Sequence, residues 1–187
     1  KIMGFEFGSQ CSLGWQKLTC YFVSWNGFVY YLTPCVPLKF GIEKVFFNKL
    51  LERGKLNETS VSFLTLLNTK KTLIKSDHNL SIIELTETEH NEFTPELQGP
   101  IENIRSESKK RKDYLGLLMM NTIPQTFILY NMRGELYIQV TFDEPRPLFV
   151  QDKETYTYKF ITKEWVELAI KENENIYDLV PILSLDK

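Results

Sequence analysis

The sequence predicts an all-β fold, and three features carry that prediction. Aromatic residues make up 13% of the chain, and such residues favour pleated, half-buried surfaces. Two pairs of apolar runs are each joined by a short turn that contains glycine, which is the pattern of a β-hairpin. Further short apolar runs are separated by turn residues. Short strands with regular turns are typical of a sandwich, a barrel or a propeller.

Two hairpins are predicted, over residues 18–32 and 126–140. In the first, Asn26-Gly27 separates the two apolar runs, and both of these residue types tolerate the positive φ that a tight turn requires. In the second, Gly134 is suited to the left-handed position of a longer turn. We therefore expect two antiparallel strand pairs far apart in the sequence.

Further strands are predicted from apolar runs with turn residues at their ends. These runs are Ile2–Phe7, Leu115–Met120, Tyr156–Ile161 and Tyr177–Leu183. The run Leu115–Met120 is apolar throughout, which is typical of a strand covered on both faces, as the inner strands of propeller blades are. The segment Lys163–Lys171 fits either a helix or a strand, and its periodicity does not decide between them.

A helical pattern lies between the two hairpins. Four apolar residues three to four positions apart predict one helix face: Ile42, Val45, Phe46 and Leu50. Gly54 is expected to end this helix, and Asn57 to cap a second one. The apolar side of the second helix is predicted to consist of Val61, Phe63, Leu64 and Leu67. We interpret about 41–75 as a helical insertion into a β architecture.

Two polar stretches are predicted to be loops. Ser76–Pro95 is rich in Glu and Thr, with a short strand expected at Leu80–Leu85. Arg105–Asp113 carries five basic and two acidic side chains. Such charge density favours an exposed loop.

Composition argues against several classes of function. The formal net charge is −2, which offers no electrostatic reason to expect direct nucleic-acid binding. No apolar run approaches the length of about 20 residues that a membrane helix needs, so we expect no membrane insertion. The cysteines Cys11, Cys20 and Cys35 are odd in number and match no ligand spacing with His78 or His90. We therefore predict reduced thiols and no metal site.

No motif predicts catalysis or a cofactor. Ser106 and Lys109 formally match the Ser-x-x-Lys pattern of penicillin-binding enzymes. They lie in the charged stretch, without companion motifs and without a predicted helix to bring the lysine under the serine. The sequence contains no nucleophile elbow and no phosphate-binding loop. We expect a protein that is not an enzyme and binds no cofactor.

Recognition of other proteins is the chemistry that the helical segment favours. The adjacent pairs Phe46-Phe47 and Leu50-Leu51 widen the apolar stripe beyond one packing face. One face is expected to pack on the sheet, which leaves a second face for a partner helix. These four residues are the predicted partner-binding site. The alternative, that both faces are buried within the domain, remains open.

The order of several short motifs resembles a known family. They are, in chain order, Phe5-Glu6-Phe7-Gly8-Ser9, Trp15, Val29-Tyr30-Tyr31-Leu32-Thr33-Pro34-Cys35-Val36-Pro37, Leu97-Gln98-Gly99-Pro100, the hairpin Ile128–Val140, and Asp143-Glu144-Pro145. This order is similar to the β-propeller of the 82/88-kDa nucleoporin family. The family also has a later acidic and aromatic strand, which Glu164–Leu168 resembles. The resemblance therefore favours a strand in the ambiguous segment.

The resemblance implies that 1–187 is part of a β-propeller, similar to its second half, with the helical insertion between blades. It also implies a structural role at the cytoplasmic face of the nuclear pore complex, in support of mRNA export and nucleocytoplasmic transport. The implied partners are the tail of a Phe-Gly nucleoporin of the mRNA-export platform and the autoproteolytic domain of a 98-kDa-type nucleoporin. The expected assembly is a hetero-oligomer.

Two alternatives stay open at this stage. The chain resembles propeller modules in general, so it is also compatible with an interaction module of a vesicle coat or a transcription complex. A β-rich enzyme whose catalytic residues lie elsewhere is disfavoured, because active sites need convergent titratable groups, and the sequence shows no such set.

Overall fold

The computed structural model describes residues 1–9, 12, 14–74, 77–103, 114–123, 125–131, 135–141, 144–150 and 159–167. Two predicted features lie wholly outside these residues, namely the loop Arg105–Asp113 and the strand Tyr177–Leu183. The predicted strand Tyr156–Ile161 and the ambiguous segment Lys163–Lys171 lie partly outside them.

Strands dominate the described residues, with helices mainly in one central stretch. The strands are β1 (Ile2–Phe7), β2 (Cys20–Ser24), β3 (Val29–Leu32), β4 (Lys39–Glu43), β5 (Lys71–Ile74), β6 (Asp77–Glu84), β7 (Glu102–Asn103), β8 (Tyr114–Met120), β9 (Gln125–Asn131), β10 (Glu135–Thr141) and β11 (Lys159–Glu167). The helices are α1 (Lys44–Arg53), α2 (Glu58–Lys70) and α3 (Glu87–Glu92), and a 3₁₀ helix spans Gly14–Leu18.

Three sheets are formed by these strands. Their strand orders are β1-β2-β3, β4-β6-β5 and β7-β11-β10-β9-β8. Neighbouring strands are antiparallel except for β7 and β11, which are parallel. A mostly antiparallel arrangement in several small sheets fits a partial propeller. The predicted all-β class is confirmed at this level.

Both predicted strand pairs are present, and the turn predicted at Gly134 lies outside the described residues. Strands β2 and β3 pair with Phe22 opposite Tyr30. Their turn places Gly27 at a φ of 83°, where its N–H donates to the Ser24 carbonyl at 2.8 Å. Strands β9 and β10 pair from Tyr130–Leu136 through to Gln125–Thr141. The turn fixes the register of β2 and β3, because position 27 requires a residue that adopts a positive φ without a steric penalty.

The segment that fits either a helix or a strand, Lys163–Lys171, is a strand of the five-stranded sheet as far as Glu167. Strand β11 pairs with β10, with Trp165 opposite Tyr137, so the strand interpretation is confirmed for residues 163–167. The apolar run predicted at Leu115–Met120 forms β8, in the same sheet.

The first hydrophobic cluster lies between the β1-β2-β3 sheet and the five-stranded sheet. Tyr21 packs edge-on against Phe127, with ring centroids 4.8 Å apart. The other members are Val23, Val29, Tyr31, Ile101, Leu117, Met119, Leu129 and Tyr137. Alternate residues of β2 and β3 therefore face inward, and those between them face away from the five-stranded sheet.

The second cluster joins the helices to the β4-β6-β5 sheet. Phe63 of α2 lies at its centre, with ring centroids 5.3 Å from Phe93 and 5.5 Å from Phe149. Trp15 packs against the same ring at 6.4 Å. Buried aliphatic members are Ile42, Leu50, Leu64, Leu67, Ile83 and Leu85.

The helix ends follow the predicted signals. Gly54 follows the last residue of α1, and its N–H donates to the Leu50 carbonyl at 2.7 Å. Asn57 caps α2, because its side chain accepts from the Ser60 N–H at 2.7 Å while the Ser60 hydroxyl accepts from the Asn57 N–H at 2.9 Å. This reciprocal pair satisfies backbone donors that the first turn leaves free.

Some local predictions are wrong. Ile42 lies in β4 rather than in the helix, and Val45 is 62% exposed although the pattern assigned it to the packing face. Val61 is also exposed. The segment predicted as helical, about 41–75, includes parts of two strands, because β4 and β5 both pair with β6. Long-range pairing overrides helical spacing at such ends.

The stretch Ser76–Pro95 also differs from its prediction as a loop around a short strand. The strand begins earlier, at Asp77, and is followed by the short helix α3. Thr86 caps this helix, and Glu89 three residues later completes a capping box. This Thr-x-x-Glu pattern is a sequence signal for a helix start. Helix α3 itself is too short for an apolar periodicity to predict it.

Candidate protein-docking surface

The four residues predicted to bind a partner divide into a buried pair and a partly buried pair. Phe47 and Leu50 are 0% and 1% exposed and belong to the second cluster. Phe46 and Leu51 are partly buried and pack against that cluster from outside. That these residues contact a partner stays a prediction, and only Phe46 and Leu51 have surface with which to do so.

Lysine side chains cover part of both phenylalanines on α1. The Lys17 ammonium lies 5.0 Å from the ring centroid of Phe46, and the Lys71 ammonium lies 5.2 Å from that of Phe47. A cation over an aromatic face is attracted by the ring quadrupole. These contacts hold the 3₁₀ helix and β5 against α1, which is an intramolecular role.

The outward side of the helices offers only scattered apolar groups. Leu56 and Val61 are 44% and 39% exposed, and they line a broad depression of about 600 Å³ together with Lys55 and Glu58. A shallow surface that alternates apolar and charged groups lacks the buried centre on which tight interfaces depend. The helices alone are therefore a weak docking site.

A more continuous apolar surface lies on the outer side of the β1-β2-β3 sheet. Phe5 stands opposite Phe22, and Phe22 stands opposite Tyr30. Directly opposed residues share a face, and Phe7 lies on the same face as Phe5 because the two are two positions apart. We call Phe5, Phe7, Phe22 and Tyr30 the aromatic face.

The aromatic face is ordered by contacts between its own rings. Phe5 and Phe7 meet edge to face with centroids 6.2 Å apart, and Phe5 lies 6.5 Å from Phe22. Phe5 remains 60% exposed and Phe7 50% exposed. Burying a whole Phe side chain stabilises by about 1.5–3 kcal/mol, so covering these two exposed parts would contribute about 1 kcal/mol each.

The tip of the first hairpin extends the exposed apolar surface at one end of the sheet. Ile2 pairs with Ser24, and the Trp25 N–H donates to the Lys1 carbonyl at 3.1 Å. Ile2, Trp25 and Phe28 are 61%, 41% and 48% exposed. Contiguous exposed apolar groups of this kind mark interaction sites more often than isolated ones.

Sequence reasoning missed the aromatic face. The alternation Phe5-Glu6-Phe7 shows that the two phenylalanines share a side of a strand. Alternation alone would assign that side to the core, since an exposed aromatic pair is unusual. The structure assigns the opposite side of the sheet to the core, through Tyr21 and Tyr31.

The motifs that carry the family resemblance have structural roles. The carboxylate of Glu144 accepts a hydrogen bond from the Trp15 N–H at 2.5 Å. Burial raises the pKa of Glu144, whereas the Trp15 N–H and the charge of Arg53 lower it. Gly14 adopts a φ of +52°, and a Cβ at this position would clash with the same carboxylate. Trp15 in turn donates from Nε1 to the Gly54 carbonyl at 3.1 Å.

Within the described ranges the structure shows no group of three or more His, Cys, Asp or Glu side chains arranged to hold a metal ion. In the same part of the chain, none of the helices has the length and apolar character needed to cross a membrane.

No protein-family model matches the sequence, and no curated protein matches it. The solved structures give a different result. The chain is similar in fold to chains of two solved nucleoporin complexes. One is the Chaetomium thermophilum heterotrimeric Nup82 NTD–Nup159 TAIL–Nup145N APD complex, with a TM-score of 0.65 and 13% identity over 92% of this chain and 39% of that chain.

The other is the yeast heterotrimeric Nup82–Nup159–Nup116 nucleoporin complex. Here the TM-score is 0.65 and the identity 14%, over 90% of this chain and 40% of that chain. The resemblance predicted from the ordered motifs is thus confirmed at the level of fold. The chain spans about two fifths of the length of the solved chains that it matches.

Proposed function

We propose that the protein is a structural nucleoporin whose partial propeller docks other nucleoporins at the cytoplasmic face of the nuclear pore complex. In this role it supports mRNA export and nucleocytoplasmic transport, and it acts by binding rather than by catalysis. The observation that carries the proposal is the similarity in fold to chains of two nucleoporin complexes over at least 90% of this chain.

The composition of those complexes suggests the class of partner. Both contain Nup159, together with Nup145N in one and Nup116 in the other. By analogy we propose the tail of a Phe-Gly nucleoporin and the autoproteolytic domain of a 98-kDa-type nucleoporin as partners of this chain. Similar folds host unrelated functions, so the analogy needs direct support from a binding surface.

The aromatic face is the surface that we assign to a nucleoporin partner. It combines two half-exposed phenylalanines with a rigid sheet behind them, because β2 and β3 are buried against the five-stranded sheet. A rigid aromatic platform loses little side-chain entropy on binding. We expect an apolar segment of the partner to cover Phe5 and Phe7, with Phe46 and Leu51 as a secondary contact.

The proposal is tested by affinity purification of the full-length tagged protein from its own cells at moderate salt, followed by mass spectrometry. We expect Phe-Gly nucleoporins and mRNA-export factors to dominate the co-purified proteins. Moderate salt weakens nonspecific charge contacts, while apolar docking survives it.

Two outcomes would contradict the proposal. Co-purification of vesicle-coat or transcription-complex subunits without pore proteins would keep the interaction role but move it to another assembly. A tagged protein that co-purifies with no partner above an untagged control would oppose the docking role itself.

A further inference from the structure

Two cysteines lie next to the aromatic face, and one of them, Cys20, stands directly opposite Phe7. Cys20 is the first residue of β2, and Cys35 follows the end of β3. The Cys35 N–H donates to the Leu18 carbonyl at 2.6 Å. The hydroxyls of Thr19 and Thr33 meet at 2.6 Å. The chain before Cys20 and the chain before Cys35 are therefore held side by side, close enough for each thiol to influence the pKa of the other.

The two thiols differ in accessibility. Cys20 is 3% exposed, whereas Cys35 is half-buried and lines a cavity of about 90 Å³ with Pro34, His90 and Phe93. A water occupies about 30 Å³, so this cavity admits a molecule as small as hydrogen peroxide. His90 is held beside the cavity by the contact of its Nε2 with the Val36 carbonyl at 2.9 Å.

The surroundings of the two thiols shift their pKa values in opposite directions, and the more accessible thiol, Cys35, has the lower pKa. Interaction with the neighbouring Cys20 thiol and the charge of His90 lower the pKa of Cys35 to about 7, against the opposing effect of burial. Interaction with Cys35, together with burial, raises the pKa of Cys20, and the carboxylate of Glu6 adds to the effect. The thiolate is the nucleophilic form of cysteine, so Cys35 is the sulfur that reacts first.

We propose that Cys20 and Cys35 form a redox-sensitive pair, in which hydrogen peroxide oxidises Cys35 and the Cys20 thiol then closes an intramolecular disulfide. In the first step the Cys35 sulfur bonds to one peroxide oxygen and the O–O bond breaks. This leaves a sulfenic acid, and the departing hydroxide takes up a proton to leave as water.

In the second step the Cys20 sulfur bonds to the Cys35 sulfur, and the S–O bond breaks. The hydroxyl leaves with the Cys20 proton as a second water. Two thiols are oxidised to one disulfide, and one hydrogen peroxide is reduced to two waters. The disulfide would tie the start of β2, where Cys20 stands opposite Phe7 of the aromatic face, to the segment after β3.

The test is titration of the intact protein, in a Cys11→Ser background, with hydrogen peroxide, followed by alkylation and peptide mass spectrometry. Both cysteines fall between Lys17 and Lys39, which bound a single tryptic peptide. We expect the oxidised peptide to carry no alkyl group and to be about 2 Da lighter than the unmodified dithiol peptide, and to take up two alkyl groups once dithiothreitol has reduced it. The Cys20→Ser variant should accumulate a Cys35 sulfenic acid that dimedone traps, and the Cys35→Ser variant should leave Cys20 reduced.

A second measurement needs no substitution at Cys20 or Cys35. In the Cys11→Ser background, alkylation of Cys35 by iodoacetamide at pH 7 should proceed several-fold faster than that of free glutathione, because more of it is thiolate. The proposal is overturned if no disulfide forms at peroxide doses that oxidise glutathione in the same solution. It is equally overturned if Cys35 is alkylated no faster than glutathione.

Discussion

Tyr31 and Gln98 are joined by three hydrogen bonds. Their backbones form a reciprocal pair, at 3.0 Å from the Tyr31 N–H and 2.9 Å from the Gln98 N–H, and the Tyr31 hydroxyl donates to Gln98 Oε1 at 2.7 Å. Gln98 also donates from Nε2 to the Arg146 carbonyl at 3.0 Å. The Gln-Gly-Pro motif therefore holds β3 to the segment after β10.

Tyr31→Phe is expected to lower the free energy of unfolding by about 1–3 kcal/mol, because it leaves the buried Oε1 of Gln98 without its donor. Urea unfolding of the intact protein measures the change. Tyr30→Phe is the matched control, since Tyr30 is the adjacent, half-buried residue. This variant should lower the free energy of unfolding much less than Tyr31→Phe. Equal effects of the two variants would show that the hydroxyl of Tyr31 has no special role.

Phe63→Ala is expected to lower the free energy of unfolding by about 3–5 kcal/mol, the range for removing a buried aromatic ring. Phe63 touches the rings of Trp15, Phe93 and Phe149, so the cavity cannot close without moving three other aromatic residues. The thermal midpoint should fall strongly. Val61→Ala in the same helix is the control, because Val61 is exposed and such changes stay within about 0.5 kcal/mol.

Asn57→Ala is expected to destabilise the protein by about 1 kcal/mol, because it removes the acceptor for the Ser60 N–H at the start of α2. Asn57→Asp retains a side-chain acceptor and a favourable negative charge at the helix N-terminus. Chemical denaturation should therefore rank wild type and Asn57→Asp above Asn57→Ala. A stability of the aspartate variant as low as that of the alanine variant would argue against the cap.

Glu89 should make stability depend on pH in the acid range. The hydrogen bond from Lys70, at 2.6 Å, and that from the Thr86 N–H lower the pKa of Glu89 from 4.5 to about 2. The ionised carboxylate therefore stabilises the fold above pH 4.5, and this contribution is lost as the pH falls from 4.5 towards 2.

Lys70→Gln should raise the pKa of Glu89 towards 4.5 and reduce that acid dependence. An NMR titration of the Glu89 carboxyl group measures the shift directly. Lys39→Gln is the control, since it breaks the separate ion pair with Glu84 and should leave the pKa of Glu89 unchanged. An unaltered Glu89 pKa in Lys70→Gln would contradict the assigned cause.

Phe5→Thr/Phe7→Thr should reduce capture of the nucleoporin partner by about tenfold or more, since about 1.4 kcal/mol corresponds to a factor of ten in affinity. Stability should change little, because both side chains are at least half exposed. Ile123→Thr, at a 70% exposed position outside the aromatic face, serves as the control for general loss of apolar surface.

Phe46→Ala/Leu51→Ala tests the surface that the sequence predicted, in the same capture assay. A smaller loss than for the Phe5 and Phe7 variant is expected, because lysine and the second cluster already cover part of these side chains. If only the helix variant lowers capture, the partner site lies on α1 and the assignment to the aromatic face is wrong.

Local chemistry made some elements predictable and left others ambiguous. Asn26-Gly27 specifies its turn through backbone conformations that few residue types adopt, and Asn57 specifies a helix start through one side-chain acceptor. The helical spacing from Ile42 to Leu50 was less reliable, because Ile42 pairs with Ser81 of β6 and so lies in β4 instead of the helix. Periodicity describes a preference that long-range pairing can override.

The sequence by itself determined the β-rich class, both hairpins, the helix caps and the ordered motifs that resemble the nucleoporin propellers. All of these depend on residues close together in the chain or on their order. Only the tertiary structure decided that Phe47 is buried, that Phe5 and Phe7 are exposed, and that Cys20 meets Cys35. Which side of a strand faces the core depends on what packs against it, and contacts between distant segments are specified by the combined packing of all of them.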